Sequence, residues 1–375
     1  MNILVAPDIY IRNVADKRIS AQNTFSDVMD VLLRTEYSVI NLECSISSGE
    51  KRTPILKWGP SLLADESIVC LIKEIGFDCV TLANNHINDY GGDGVMNTIN
   101  VLEMSNLNYV GAGKNLDESN TTLYKSFDDG KLAIINCCEH EFSIATDKTP
   151  GANPLSLIRQ YYAIQNAKKE ADYILLIVHG GNEDYPLPSP RMKEVCHFFV
   201  DAGVDAIIQH HQHITSGYEV YHDKPIFYGL GNFYCEGKQN EEKRDGLLVN
   251  LVFDKNSVSY NLIPYWQCPG SISFSLMNES DKTVFLQKIE GYNMIIKDDD
   301  RLRKEWESFS RSNKDNYFSF LSPYNSVLCK VLMKRHLLPK FLQSQRLMHA
   351  QNYIDCESHR DVLSYLLEEE RRKIK

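Results

Sequence analysis

Apolar, β-rich runs recur through the first half of the chain, at 3–6, 38–42, 79–83, 131–137, 173–178 and 206–209. Between them, apolar positions return at helical spacing over 25–34, 67–75, 95–105, 157–171 and 192–202. Strands alternating with helices predict an α/β architecture with mostly parallel strands. From about residue 214 the period changes. Segments 218–221, 225–229, 247–253 and 257–263 read as strands joined by short polar turns, so antiparallel hairpins are expected. After Pro269 helical patterns take over, at 283–295, 301–309, 327–336 and 359–370. No internal repeat and no low-complexity linker interrupts the sequence.

Composition narrows the picture. The chain has 375 residues, 43% of them hydrophobic and 24% charged, which is ordinary for a globular protein. A formal net charge of −10 argues against nonspecific binding to nucleic acid. No apolar run approaches the roughly 18–20 residues of a membrane span. The N-terminal residues run straight into a strand pattern without a basic leader, so no signal peptide is expected. Ten cysteines without framework spacing fit a reducing compartment, and a cytoplasmic location is expected.

The charge is uneven. Residues 1–279 hold 22 Lys and Arg against 36 Asp and Glu, whereas residues 280–375 hold 18 against 14. No acid occurs between Asp315 and Asp355, while Lys330, Lys334, Arg335, Lys340 and Arg346 do. This predicts an acidic body over 1–268 and a mildly basic helical extension over 269–375. Segment 326–346, with leucines among its cations, is a candidate for contact with a membrane surface or an acidic partner. Packing on the body is the plainer reading, since Pro339 interrupts any long amphipathic face.

The chemistry collects where the strands end. Segment 3–6 leads to Asp8, and segment 38–42 contains Asn41 and leads to Glu43. Segment 79–83 leads to Asn84, Asn85, His86 and Asp89. Segment 173–178 leads to His179 and Glu183, and segment 206–209 to His210, His211 and His213. In parallel sheets the C-terminal strand ends open onto one crevice, so these residues can converge across more than 200 positions. Carboxylate and amide oxygens mixed with imidazoles, and no cysteine, suit Mn, Fe or Zn ions in a catalytic site. Two such ions, about 3.5–4 Å apart and bridged by one carboxylate, can clamp a displacement at phosphorus.

The blocks Asn41-Leu42-Glu43, Leu82 through Gly91, His179 through Glu183, His211-Gln212-His213 and Pro225 through Phe233 occur in order. Together they resemble the capsule-synthesis CapA family of the calcineurin-like metallophosphoesterase superfamily. The resemblance covers about 1–265. It implies a four-layer αββα sandwich with a dinuclear centre, and work on a capsular or surface polymer such as poly-γ-glutamate. Carried onto this chain, it makes Asp8 and His213 ligands of a first ion and Asn85, His179 and His211 ligands of a second. Glu43 takes the bridging position, where the superfamily has Asp. His86, backed by Asp89, becomes the histidine beside the leaving group. Ile9 and Tyr10 follow Asp8, so the superfamily's Asp-x-His start is absent.

Each residue has a plainer reading. Asp8 alone would be a turn or cap residue, and Asn84 and Asn85 turn builders. His211 and His213, as alternate residues, would share one face of a strand. His210 would then point away and pack. Asn41, Asn84, Glu141, Glu183 and Asn232 are candidates for orienting ligands or lining the site. Arg191 is a candidate for meeting a phosphate or carboxylate, or else an exposed helix start.

The expected function is therefore a metal-dependent hydrolase acting on a phosphoester-like bond of a phosphorylated or polyanionic surface polymer. An amide hydrolase is the rival within that class. A non-catalytic assembly component of the polymer machinery is the rival outside it.

Overall fold

Strand β1 (Asn2–Tyr10) sends Ile3 and Val5 into one core and Leu4 and Ala6 into another, and all four are fully buried. A strand covered on both faces needs a continuous apolar run, which explains the absence of polar alternation there. The computed structural model describes residues 1–375 apart from 15–18, 48, 50–52, 236–243, 256, 269–272, 315–316, 318–326, 336, 338–343, 356 and 375.

β1 lies inside an eight-stranded sheet. On one side follow β2 (Tyr37–Leu42), β5 (Cys79–Thr81) and β6 (Asn108–Val110), all parallel. On the other side come antiparallel β16 (Asp245–Asp254), β17 (Ser257–Cys268) and β18 (Ser273–Leu276). β15 (Asn232–Cys235) runs parallel to the far end of β1. A second, six-stranded sheet runs β13 (Tyr218–Tyr221), β14 (Lys224–Phe227), β12 (Ala206–His210), β11 (Tyr173–His179), β9 (Gly130–Cys138), β8 (Leu123–Phe127). Its four central strands are parallel, and β13 and β8 close the edges antiparallel. Short pairs join β3 (Ser45–Ile46) to β4 (Leu63–Ala64) and β7 (Ala112–Gly113) to β10 (Gly151–Ala152).

The layers are helix, sheet, sheet, helix. Ile134, Leu175, Ile177 and Ile208 of the second sheet meet Ile3, Val5, Val39 and Val249 of the first in the core between the sheets. Helices α1 (Ala21–Thr24), α2 (Ser26–Leu32), α3 (Ser67–Ile75) and α4 (Gly91–Met104) bring Val28, Ile68, Ile72, Val95 and Ile99 to the outer core of the first sheet. After the short α5 (Leu116–Ser119), helices α6 (Leu157–Glu170) and α7 (Pro190–Ala202) pack on the second sheet. Helix α7 begins with Ser189 capping the Met192 amide and Pro190 at the first position, and it stops at left-handed Gly203.

The first compact unit is Met1–Arg303 and the second is Lys304–Lys375. The first runs beyond residue 268 because β18 pairs with β17, and because α8 (Glu279–Ile296) buries Phe285 and Ile289 in the core between the sheets. A further helix, α9, covers Asp299–Ser312. In the second unit, helices cover Val327–Lys334, Ser344–Asp355 and Glu357–Lys373. Of the 326–346 segment, residues 326, 336 and 338–343 lie outside the described residues. Among the described residues, no helix is long and apolar enough to cross a membrane.

Candidate metal centre

Both sheets deliver their parallel strand ends to one place. Asp8 sits where β1 slips register against β2 and again against β15. Pro7 has no amide to give a ladder, and a bulge is where a strand tolerates it. The bulge leaves Asp8 directly opposite Asn41 on β2 and Asn232 on β15, so three polar side chains cross three strands in one row. The Asn41 amide donates to Asp8 Oδ1 at 2.7 Å, and Thr81 Oγ1 donates to Asn41 Oδ1 at 2.9 Å. Asn84 ties the turn after β5 to this row by donating to the Leu42 carbonyl at 2.8 Å.

Glu43, just past β2, is 1% exposed, and its Oε1 has no hydrogen-bond partner. That oxygen lies 3.3 Å from His179 Nε2 and 3.8 Å from His213 Nε2. His179 Nε2 also lies 3.1 Å from Asn85 Oδ1 and 3.1 Å from His211 Nδ1. Two ligand triads result, Glu43 with His179 and His211, and Asp8 with Glu43 and His213, and within each the donor atoms lie within 4.8 Å of one another. The glutamate is common to both.

The electrostatics match the donor set. Burial drives His179 and His211 down to about 3, which keeps both imidazoles neutral with lone pairs available. Burial also pushes Glu43 above the usual carboxylate range. Burial alone would lower His213, but the Glu43 and Asp8 carboxylates outweigh it and raise the ring to about 10. Burial would raise Asp8, yet the hydrogen bond to His213 and the nearby imidazoles hold it well below its ordinary range. A buried carboxylate oxygen that accepts no hydrogen bond, a second carboxylate and the neutral imidazoles of His179 and His211 fit a divalent cation, and His213 would give up its proton to hold a second.

His211 and His213 do not sit in a strand. β12 ends at His210, and both later histidines have positive φ, 100° and 58°. Left-handed turn residues, not strand alternation, bring them inward, at a cost of about 1–3 kcal/mol each. Gly181 takes φ 110°, a left-handed conformation that favours glycine, beside the end of the Gln212 side chain. His213 Nδ1 lies 2.9 Å from Asn232 Oδ1. His210 is buried, as a packing residue would be, but its two ring nitrogens have no hydrogen-bond partner.

The remaining candidates spread around the rim. His86 Nδ1 lies 2.7 Å from Asp89 Oδ2. Glu141 Oε1 is 3.7 Å from His211 Nε2. Glu183 is exposed, and its charge contributes to the raised His213. Arg191 opens α7 and pairs with Glu139, whose other oxygen accepts from the Gly181 amide at 2.8 Å. Sequence reasoning missed Lys57, whose side chain is 3% exposed and pairs with Asp89. The only signal was a lone cation in a stretch bounded by Pro54 and Gly59-Pro60.

Residues 3–236 match the family model described as "Bacterial capsule synthesis protein PGA_cap". The capsule biosynthesis protein CapA of Bacillus anthracis is 34% identical over 209 residues, covering 54% of this chain and 51% of that protein. The PGA biosynthesis protein CapA of Bacillus subtilis is 28% identical over 250 residues, covering 66% and 65%. The chain thus spans about half to two thirds of the length of these relatives. A crystal structure titled as a novel phosphatase from Mycoplasma pneumoniae aligns over 72% of this chain and 95% of that one, at 15% identity and a TM-score of 0.47. By the match over 3–236, which holds every candidate ligand, the chain belongs to the bacterial capsule synthesis PGA_cap family.

Proposed function

We propose that this protein is a metal-dependent hydrolase of a phosphoester-like bond, acting in capsule or poly-γ-glutamate biosynthesis. The observation that carries the reading is Glu43, a buried carboxylate common to two ligand triads, whose Oε1 accepts no hydrogen bond. Asp8, Glu43 and His213 would hold one divalent ion, and Glu43, Asn85, His179 and His211 the other. When bound, such ions activate water and neutralise charge that develops on a phosphoryl group. The protein's own part is positional. Asn41 steers Asp8, and Asn232 steers His213. Asp89 accepts from Nδ1–H of His86, so the ring in its doubly protonated form would hand its second proton, the one on Nε2, to the leaving oxygen.

The substrate in this reading is a phosphorylated or polyanionic surface polymer, and the basic segment 326–346 contacts a membrane surface or an acidic partner. A cytoplasmic placement belongs to the same reading. It is supported by Cys44, Cys70, Cys79, Cys137, Cys138 and Cys196, which are free thiols.

Metal analysis combined with hydrolysis of bis(p-nitrophenyl) phosphate tests the proposal. The wild type is expected to carry at least one transition metal per chain and to turn over the diester. His86→Ala should lose about 10²–10⁴-fold in kcat with its metal retained, and His211→Ala should lose metal and activity together. A metal-free wild type, or turnover indifferent to both substitutions, would sink the hydrolase reading in favour of an assembly role.

A further inference from the structure

Lys57 is a buried cation that none of the roles above employs. It lies in the loop 53–62 between Leu56 and Trp58, which are exposed, Trp58 by 72%. A lysine turned inward between two outward apolar residues needs a specific partner, because an unpaired ammonium is costly to bury. Asp89 supplies it. Lys57 Nζ pairs with Asp89 Oδ1 and lies 3.2 Å from His86 Nδ1. The other oxygen, Oδ2, meets His86 Nδ1 at 2.7 Å and accepts the Leu62 amide at 2.6 Å. The Asp89 carbonyl accepts the Ile55 amide at 2.9 Å. The loop is thus tied near both ends, and at Lys57 between them, to the residue that orients His86.

We propose that Lys57 is a positioning residue for the reaction. By holding Oδ1 it fixes the Asp89 carboxylate so that Oδ2 receives the Nδ1 proton of His86, and it closes the loop over that hydrogen bond. Nδ1 cannot donate to Asp89 and accept from Lys57 at once. The shorter contact, to a charged acceptor, takes the proton, so Nδ1 keeps its hydrogen toward Asp89 and Nε2 is the nitrogen that takes up and hands on a second proton. The kinetic consequence rests on the hydrolase reading, whereas the tautomer and its shielding do not.

The test therefore has two arms. In the metal-free full-length protein, ¹H–¹⁵N spectra should show a downfield imidazole Nδ1–H protected from exchange, assigned by its loss in His86→Ala. Lys57→Met should abolish or broaden that signal, and Lys57→Arg should keep it. In diester hydrolysis, Lys57→Met should lower kcat about 10–100-fold with KM moved less than about threefold and metal content unchanged, and Lys57→Arg should recover most of the loss. If Lys57→Met does not fold, Lys57→Gln takes its place with the same expectations. A protected signal that survives the loss of Lys57, or a loss confined to metal content, would overturn the proposal. An inactive wild type whose imidazole signal still depends on Lys57 would refute the hydrolase reading and leave the positioning role standing.

Discussion

Glu43 concentrates the physical tension of the centre. Its carboxyl is held above the ordinary range by burial, with the Asp8 charge adding to the effect. Two buried carboxylates side by side are a liability unless cations neutralise them. Glu43→Gln removes one charge at nearly constant volume. In chelator-treated protein it should raise the Tm by about 1–2 °C, corresponding to about 1 kcal/mol. With excess Mn or Zn the order should reverse, because the variant loses the shared ligand and the stabilisation that bound metal gives the folded state. Thermal melts of both proteins with and without metal read this directly, and a variant less stable than wild type without metal would contradict it. The positive φ of His211 and His213 belongs to the same account, since the turn that presents them is strained and is braced by Gln212 donating to the Gly180 carbonyl at 2.8 Å.

At the level of elements, the site is only as well placed as the two sheets are packed. β11 carries Leu175 and Ile177 into the core between the sheets and ends two residues later at His179. Ile177 is fully buried, so Ile177→Ala should cost about 2–5 kcal/mol by urea unfolding. It should also weaken metal binding, although Ile177 has no ligand atom, because the end of β11 sets the position of His179. Unchanged metal affinity in a clearly destabilised variant would show that the strand ends are held by their own hydrogen bonds and not by the core. Those bonds are present too. His179 and His210 are paired across β11 and β12, and the Gly180 amide donates to the His210 carbonyl at 3.0 Å.

For the whole molecule, the net charge of −10 is a difference between unlike parts, since residues 280–375 carry a balance of +4. If the acid-free stretch serves a surface, full-length protein bearing Lys330→Glu, Lys334→Glu and Arg335→Glu should bind anionic vesicles about 100-fold or more weakly than wild type at low salt, since each lost cation is worth about 1 kcal/mol. Equal co-sedimentation would rule out the membrane role for this segment. Its natural counterpart, an acidic protein partner, would then be the surviving half of that proposal.

The α/β order, the parallel centres of both sheets, the family and the strand-end blocks that hold the candidate ligands were legible in the amino-acid sequence. These follow from local information, because apolar runs buried on both faces and polar residues at strand ends are written in consecutive positions. It placed Asp8, Glu43, His179 and the His211–His213 pair without knowing their partners. The bulge that lines Asp8 up with Asn41 and Asn232, the left-handed turn that sends His211 and His213 inward, and the burial of Lys57 against Asp89 emerge on folding. Register, φ and long-range ion pairs depend on which segments meet across dozens of residues. A lysine in a polar loop reads the same whether it faces water or a buried carboxylate. The extension of the first unit through β18 and α8 was likewise invisible to charge counting, because β-ladder pairing and core burial, not net charge, hold those elements to the body.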